Sequence, residues 1–133
     1  IEVKYWTIIG FLSKLTSNVF IKRVRSESFY QKKEIFKLLS EGKKLLIFPE
    51  GTGRNAEDGI GRFGNGGAML AVNEGVPVVP ICHNSGVYWK NHSLKKVAGK
   101  VSIVIGQPIT GTDAKEITKQ AQLWISQTYK KIN

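Results

Sequence analysis

Short apolar runs alternate along the chain with segments of helical pattern, and this alternation constrains the fold more than any other sequence feature. The runs are Lys44 to Phe48, Val78 to Cys82 and Val101 to Ile105. Runs of this length that are rich in β-branched and large apolar residues are typical of buried strands. The alternation therefore predicts an α/β fold with a mostly parallel central sheet that is flanked by helices.

Glycines and a capping residue mark the ends of the first predicted helices. Ser28 is a suitable N-cap for a helix that continues to Glu41, and Gly42 permits the left-handed turn that ends it. A second helical segment runs from Gly67 to Glu74, and Gly75 ends it in the same way.

The last helix is predicted to begin near Thr112 or Asp113. Asp113 and Glu116 have the spacing of a capping box, in which two side chains bond backbone amides of the first turn. The residues that follow at helical spacing form an apolar face that would dock on the sheet: Ile117, Ala121, Trp124 and Ile125.

Length, charge and cysteine content limit the class of protein. The 133 residues suit a single domain, residues 1–133. The longest stretch without a charged residue, Gly75 to Trp89, is too short to span a bilayer. A single cysteine, Cys82, excludes an intrachain disulfide. The formal net charge of +10 favours an anionic partner, with nucleic acid, anionic lipid headgroups and a phosphorylated small substrate as candidates.

The first third of the chain is both apolar and cationic. An aromatic-rich opening, Tyr5 to Leu15, fits either a helix at a membrane surface or a helix buried against the core. Residues 1–33 contain seven Lys or Arg against two Glu. This part of the chain is therefore the sequence's first candidate for contact with an anionic membrane surface.

A glycine-rich segment, Pro49-Glu50-Gly51-Thr52-Gly53-Arg54, follows the first predicted strand. In open α/β sheets, ligands bind where strands reach their carboxyl ends. Glycines let a ligand approach the backbone, while Thr52, Arg54 and backbone N–H groups are suitable donors for a phosphate. The segment predicts a phosphate site, and the alternative is a surface turn with one salt bridge made by Glu50.

Two other patterns carry less weight. Gly59 to Gly64 has the glycine spacing of a dinucleotide-binding loop, but it does not directly follow a strand. His83 and His92 are the only histidines, and neither is followed within five residues by Asp or Glu. We interpret His83 as a structural hydrogen-bonding residue and Cys82 as a core residue, and we expect no metal site.

Three blocks of the sequence match, in order, the motifs of a known family. Phe20-Ile21-Lys22-Arg23 is similar to a block that contributes an arginine to the phosphate of an acceptor. Phe48-Pro49-Glu50-Gly51-Thr52 is similar to a block that binds a glycerol-phosphate group, and Val76 to Ile81 is similar to a strand near the acyl donor. The sequence thus resembles the glycerolipid acyltransferases, and within them the bacterial 1-acyl-sn-glycerol-3-phosphate acyltransferases.

The resemblance implies an enzyme of phospholipid biosynthesis that transfers a fatty acyl group from acyl-CoA or acyl carrier protein to lysophosphatidate, forming phosphatidate. Such an enzyme is expected to need no cofactor besides the acyl donor and to bind no nucleic acid. It is expected to act peripherally at the cytoplasmic face of an anionic membrane. The resemblance implies two groups of site residues. Those on the substrate phosphate are Arg23, Glu50, Gly51, Thr52 and Arg54, and those with a structural role or near the acyl donor are Phe20, Pro49 and Pro80.

The sequence departs from the family pattern in its catalytic block. The family's His-x4-Asp motif is absent, because Tyr88 and Val97 stand five positions after His83 and His92. In the family this histidine removes the proton of the acceptor hydroxyl and the aspartate orients it. We expect the dyad upstream of this piece of the chain, and the 133 residues alone to be inactive. The alternative is a non-catalytic phospholipid- or anion-binding module of the same fold.

Overall fold

The structure is a computed structural model, and it describes residues 35–133. Chain contacts divide the protein between Leu45 and Leu46. In the first unit, residues 35–40 form helix α1, and Gly42 follows with a φ of 77°. The left-handed helix end predicted at Gly42 is therefore confirmed, whereas the predicted start of this helix at Ser28 lies outside the described residues.

The second unit, Leu46–Asn133, contains the remaining described elements. They are a 3-10 turn at Ala56–Asp58, helix α2 at Gly66–Glu74, strand β1 at Ile81–His83, helix α3 at Ser85–Tyr88, strand β2 at Ile103–Ile105 and helix α4 at Ala114–Ile132. Gly75 ends α2 with a φ of 64°, as the sequence predicts. The α/β class is confirmed.

The two described strands pair antiparallel, with Cys82 opposite Val104. The sheet is covered on one face, because Cys82 is buried while Ile81 and Ile105 on the other face are exposed. This pair departs from the mostly parallel sheet flanked by helices that the sequence predicts. Alternating burial is the usual pattern of an antiparallel pair with one open face.

Proline shortens the strand that the sequence predicts from Val78 to Cys82. Pro80 has no N–H group to donate to a ladder, and regular pairing begins only after it, at Ile81. Before it, Val78 forms an isolated antiparallel bridge with Ile109. The third predicted strand, Val101 to Ile105, is likewise shorter in the structure and begins at Ile103.

The strand predicted at Lys44 to Phe48 is absent from the described part of the chain, where residues 43–48 adopt no regular structure. Leu46 and Phe48 are exposed by 69% and 70%. A strand requires a neighbouring strand to satisfy its backbone, and residues 44–47 donate no backbone hydrogen bond to any other described residue. Apolar sequence alone predicted a buried strand here, and within residues 35–133 it lacks that partner.

The core of the second unit forms around helix α4, because this helix packs against both α2 and β1. The Asp113 side chain caps its first turn by accepting a hydrogen bond from the Lys115 amide at 2.8 Å. The predicted start of the helix is confirmed, but Glu116 accepts from Gln120 instead of closing a capping box. The buried apolar residues of this unit are Phe63, Ala68, Ala71, Pro80, Cys82, Ile117 and Ala121.

A buried asparagine joins β2 to the end of α4. The Asn84 side chain donates to the Ile132 carbonyl at 2.8 Å and accepts from the Ser102 amide at 2.8 Å. Asn84 is 4% exposed while Ser102 and Ile132 are half-buried, so both of these bonds are partly shielded from water. The last turn of α4 is thereby attached to the sheet.

Of the helices within residues 35–133, none combines the length and the apolar character that crossing a bilayer requires.

Candidate functional site

The Pro49-Glu50-Gly51 segment forms a tight turn at the start of the second unit. The Gly51 amide donates to the Phe48 carbonyl at 3.1 Å, and Gly51 has a φ of 68°. This is the left-handed region, which a glycine enters without steric cost. The turn is braced from the opposite side by Gly64, whose amide donates to the Pro49 carbonyl at 2.8 Å.

The loop of residues 59–64, which we name the glycine loop, approaches the turn so closely that a side chain at position 61 would displace its neighbours. A Cβ atom on Gly61 would lie 2.8 Å from Arg54 Cδ and 3.1 Å from Glu50 Oε2. Both side chains therefore lie against the backbone of this loop. Helix α4 holds the loop from the other side, since Gln122 donates to the Gly61 carbonyl at 2.9 Å.

A cleft of about 620 Å³ opens beside the turn. It lies between the turn, the glycine loop and one face of α4, so segments that are distant in sequence form its walls. Its lining consists of Pro49, Glu50, Gly51, Arg62, Phe63, Gly64, Asn65, Lys115, Thr118, Lys119 and Gln122.

Three cations line this cleft: Arg62, Lys115 and Lys119. Within residues 35–133 none of the three forms an ion pair, and Glu50 is the only acidic side chain among the described lining residues. Lys115 also stands in the first turn of α4, where the helix dipole disfavours a positive charge. The arrangement suits an anion, because three cations and the nearby backbone N–H groups can share its charge.

The structure brings together part of the site that the sequence predicts. Pro49, Glu50 and Gly51 line the cleft, whereas the exposed residues Thr52 and Arg54 do not. Arg54 lies beside Gly61, within reach of the same turn. In the described part of the chain, no ion pair joins it to Glu50.

The remaining predicted residues are placed elsewhere. Pro80 is buried next to the sheet, where its Cγ atom lies 2.9 Å from the position of a Cβ on Gly106, and it is not part of the cleft. Arg23 and Phe20 lie outside the described residues.

Sequence reasoning did not identify Arg62, Lys115 and Lys119 as site residues. A signal was present, because Lys115 and Lys119 are four residues apart in the last predicted helix and so share one face. Their relation to Glu50 depends on how α4 packs against the turn, which the spacing alone does not reveal.

The histidine and the cysteine at the end of β1 have the roles expected of structural residues. His83 Nδ1 and Ser85 Oγ lie 2.9 Å apart, within hydrogen-bonding distance. Cys82 is 2% exposed, and burial raises the pKa of its thiol. A thiol that holds its proton is a poor nucleophile, so Cys82 acts as part of the core.

The cleft is thus built around the same motif by which the sequence resembles a family. A sequence profile described as Acyltransferase matches residues 1–84. The chain belongs to the acyltransferase family. Its resemblance to the glycerolipid acyltransferases is confirmed by the relatives that it matches.

Three comparisons locate this acyltransferase chain among known proteins. It is 40% identical over 101 residues to a 1-acyl-sn-glycerol-3-phosphate acyltransferase of Pseudomonas aeruginosa. The aligned residues make up 71% of the chain and 38% of that relative. It is 29% identical to a lyso-ornithine lipid O-acyltransferase of the same organism, over 91% of the chain and 54% of the relative. The crystal structure of the 1-acyl-sn-glycerophosphate acyltransferase from Thermotoga maritima superimposes with a TM-score of 0.80 at 22% identity, over 98% of the chain and 53% of that protein.

The chain therefore spans about half or less of the length of these three proteins. The likeness to the Thermotoga structure concerns the fold.

Proposed function

We propose that the chain supplies the acceptor-binding part of a 1-acylglycerol-3-phosphate O-acyltransferase. The enzyme transfers a fatty acyl group from acyl-CoA or acyl carrier protein to lysophosphatidate and so forms phosphatidate. The observation that carries the proposal is the cleft beside Glu50, lined by Arg62, Lys115 and Lys119. The Pseudomonas aeruginosa relative is named as a 1-acyl-sn-glycerol-3-phosphate acyltransferase, which supports the same acceptor.

The cleft binds the phosphate of the acceptor. Arg62 and Lys119 neutralise its charge, and backbone N–H groups near Gly51 orient it. Arg54, which lies against Gly61, reaches the phosphate from the rim. Arg23 is proposed to contribute a further positive charge, as the family resemblance implies.

Glu50 accepts a hydrogen bond from the glycerol part of the acceptor. Glu50 lines a cleft in which the other charged lining residues described are cations, so they offset its negative charge and leave room for a phosphate. A carboxylate beside a phosphate site favours a substrate that carries both a phosphate and a hydroxyl. An inorganic anion would gain nothing from it.

The chemical step needs a base for the acceptor hydroxyl. In the mechanism implied by the resemblance, a histidine of a His-x4-Asp dyad takes the hydroxyl proton while the oxygen attacks the thioester carbonyl carbon. The new C–O bond forms, the C–S bond breaks, and the donor leaves as its thiol. Residues 1–133 hold the acceptor for this step and contain no such dyad.

The proposal is tested by acyl transfer in the full-length protein that contains this chain. Labelled oleoyl-CoA is supplied with lysophosphatidate or with monoacylglycerol, the analogue without a phosphate. We expect phosphatidate to form, and Lys119→Gln to raise the KM for lysophosphatidate about tenfold with a smaller effect on kcat. The matched control is Lys130→Gln, in the last turn of the same helix and outside the cleft.

Two results would count against the proposal. An intact, folded full-length protein that acylates neither lysophosphatidate nor lyso-ornithine lipid with any donor would make a non-catalytic phospholipid-binding module the better account. Equal loss of activity with both lysophosphatidate and monoacylglycerol in Lys119→Gln would show that this residue does not bind the phosphate.

A further inference from the structure

A second cationic surface lies outside the cleft, on the segment between α3 and β2. We name residues 89–96 the lysine loop. Its two ends meet, since the Val97 amide donates to the Tyr88 carbonyl at 2.8 Å. A turn within it is closed by the Ser93 amide, which donates to the Lys90 carbonyl at 3.2 Å. Compact surface loops with joined ends and their own internal contacts are frequently functional.

The lysine loop exposes two large apolar side chains. Leu94 is 99% exposed and Trp89 is 55% exposed. The indole N–H of Trp89 donates to the Ser93 carbonyl at 2.6 Å, which fixes the ring against the loop. Exposing a leucine and a tryptophan to water is unfavourable. Contact with a partner would bury both side chains and gain hydrophobic free energy.

Lysines are neighbours of these apolar side chains in the sequence. Residues 89–100 contain four lysines and no acidic residue. Lys90 pairs with Glu57, while Lys95 and Lys96 form no ion pair within the described residues. The Lys96 ammonium lies 4.2 Å from the centroid of the Trp89 ring, so charge and aromatic surface share one side of the loop.

We infer that the lysine loop docks on the surface of an anionic lipid bilayer. Trp89 and Leu94 enter the headgroup region, and Lys95 and Lys96 contact the lipid phosphates. Tryptophan is favoured at the boundary between headgroups and acyl chains, and lysines are attracted to anionic headgroups. This combination identifies a lipid surface rather than nucleic acid, for which an exposed leucine has no use.

The inference rests on the proposed function in one respect, because a membrane-borne acceptor gives the protein a reason to bind a bilayer. Docking places the loop, and with it the second unit, at the surface from which the acceptor comes. Vesicle binding is measured without an acyl donor. Failure of docking is therefore distinguishable from failure of acyl transfer.

The first experiment reports on the loop directly. The variant Leu94→Cys is labelled in the full chain with an environment-sensitive fluorophore, which is selective because the native Cys82 is buried. The matched control is Leu123→Cys, at an exposed position on α4. We expect vesicles of phosphatidylcholine mixed with phosphatidylglycerol to shift the emission of the label at position 94 to the blue, and to leave that at position 123 unchanged.

The second experiment measures affinity by sedimentation with the same vesicles. We expect the double variant Lys95→Gln/Lys96→Gln to weaken binding about tenfold, and Leu94→Ser to weaken it by a similar factor. The control Lys130→Gln/Lys131→Gln removes the same charge from the end of α4 and is expected to change binding little. Vesicles of phosphatidylcholine alone should bind the unmodified chain weakly.

Three outcomes would overturn the inference. The label at position 94 could show no shift with anionic vesicles, or both labels could shift equally. The two lysine pairs could also have equal effects on sedimentation, which would mean that net charge alone drives binding. If the partner of the loop were an acidic protein, the label at position 94 would show no shift with anionic vesicles.

Discussion

Gln122 Nε2 donates a hydrogen bond to the carbonyl oxygen of Gly61 at 2.9 Å, across 61 positions of the sequence. This bond joins the last helix to the glycine loop. The same loop contacts the side chains of Glu50 and Arg54 at Gly61, and its residue Arg62 lines the cleft. Gln122 therefore positions the charged groups of the candidate site through the loop that it holds.

We expect Gln122→Leu to weaken binding of a phosphate-bearing acceptor. The Gly61 carbonyl loses its partner, and the loop gains freedom that the bound state must remove again. The measurement is the KM for lysophosphatidate in the full-length protein, which should rise about fivefold. The free energy of unfolding should fall by about 1 kcal/mol.

Gln127→Leu is the matched control for this change, since Gln127 is exposed on the same helix. An equal rise in KM in both variants would mean that α4 as a whole, and not the bond to Gly61, affects the acceptor. Gln122→Glu adds a second check, because a carboxylate cannot donate to the carbonyl.

Adding a single methyl group at Gly61 should displace the side chains of the turn. In Gly61→Ala, the new Cβ would lie 2.8 Å from Arg54 Cδ and 3.1 Å from Glu50 Oε2, so both side chains must move. We expect a several-fold rise in the KM for lysophosphatidate, with a stability change below about 1 kcal/mol because the exposed Arg54 side chain and the half-buried Glu50 side chain can shift. Steady-state kinetics and thermal unfolding test this together.

Gly66→Ala is the corresponding control, because nothing lies within 4 Å of a Cβ at that position. Alanine also favours the first turn of α2. If Gly61→Ala behaved like Gly66→Ala, the close contact with Glu50 and Arg54 would have no bearing on the site.

Removal of the buried amide of Asn84 should destabilise the second unit. Asn84→Ala leaves the Ile132 carbonyl and the Ser102 amide without their partner in a partly buried site. We expect a loss of about 2 kcal/mol in the free energy of unfolding, measured with urea. Asn73→Ala, at an exposed position of α2, should change it by less than about 0.5 kcal/mol. Similar losses in the two variants would mean that the hydrogen bonds of Asn84 do not stabilise the attachment of α4 to the sheet.

Cys82 should react slowly with alkylating reagents as long as the chain is folded. Burial raises the pKa of its thiol, so less thiolate is present at a given pH, and the reagent also lacks access. We expect alkylation at neutral pH to be at least about 100-fold slower than in urea, and its pH profile to lie at higher pH than that of the unfolded chain.

The sign of the linked stability effect follows from the same shift. A thiol whose pKa is higher in the folded state stabilises that state below the unfolded-state pKa, and the contribution is lost as the pH rises through the folded-state value. Burial raises the pKa of the Tyr129 phenol as well, which adds to the loss in alkali. Rapid alkylation of the folded chain at neutral pH would contradict the buried position of Cys82.

Local sequence was sufficient to predict the features that depend on neighbouring residues. Gly42 and Gly75 end their helices in the left-handed conformation, and Asp113 caps the start of α4. The glycine-containing segment Pro49-Glu50-Gly51 was predicted to form a turn, and the structure shows one beside a cleft, while its role as a phosphate site stays a prediction. Each of these predictions required only a few adjacent residues, because caps, turns and motifs act over that range.

The sequence by itself thus determined the family, the α/β class, the helix ends and the turn at Glu50. Only the tertiary structure decided that β1 and β2 pair antiparallel with one open face, and that residues 43–48 form no strand among the described residues. It also decided that Lys115 and Lys119 line the same cleft as Glu50. The physical reason is that apolar periodicity indicates which face of an element is buried but not which element buries it. Strand direction and the meeting of distant charges depend on that choice of partner.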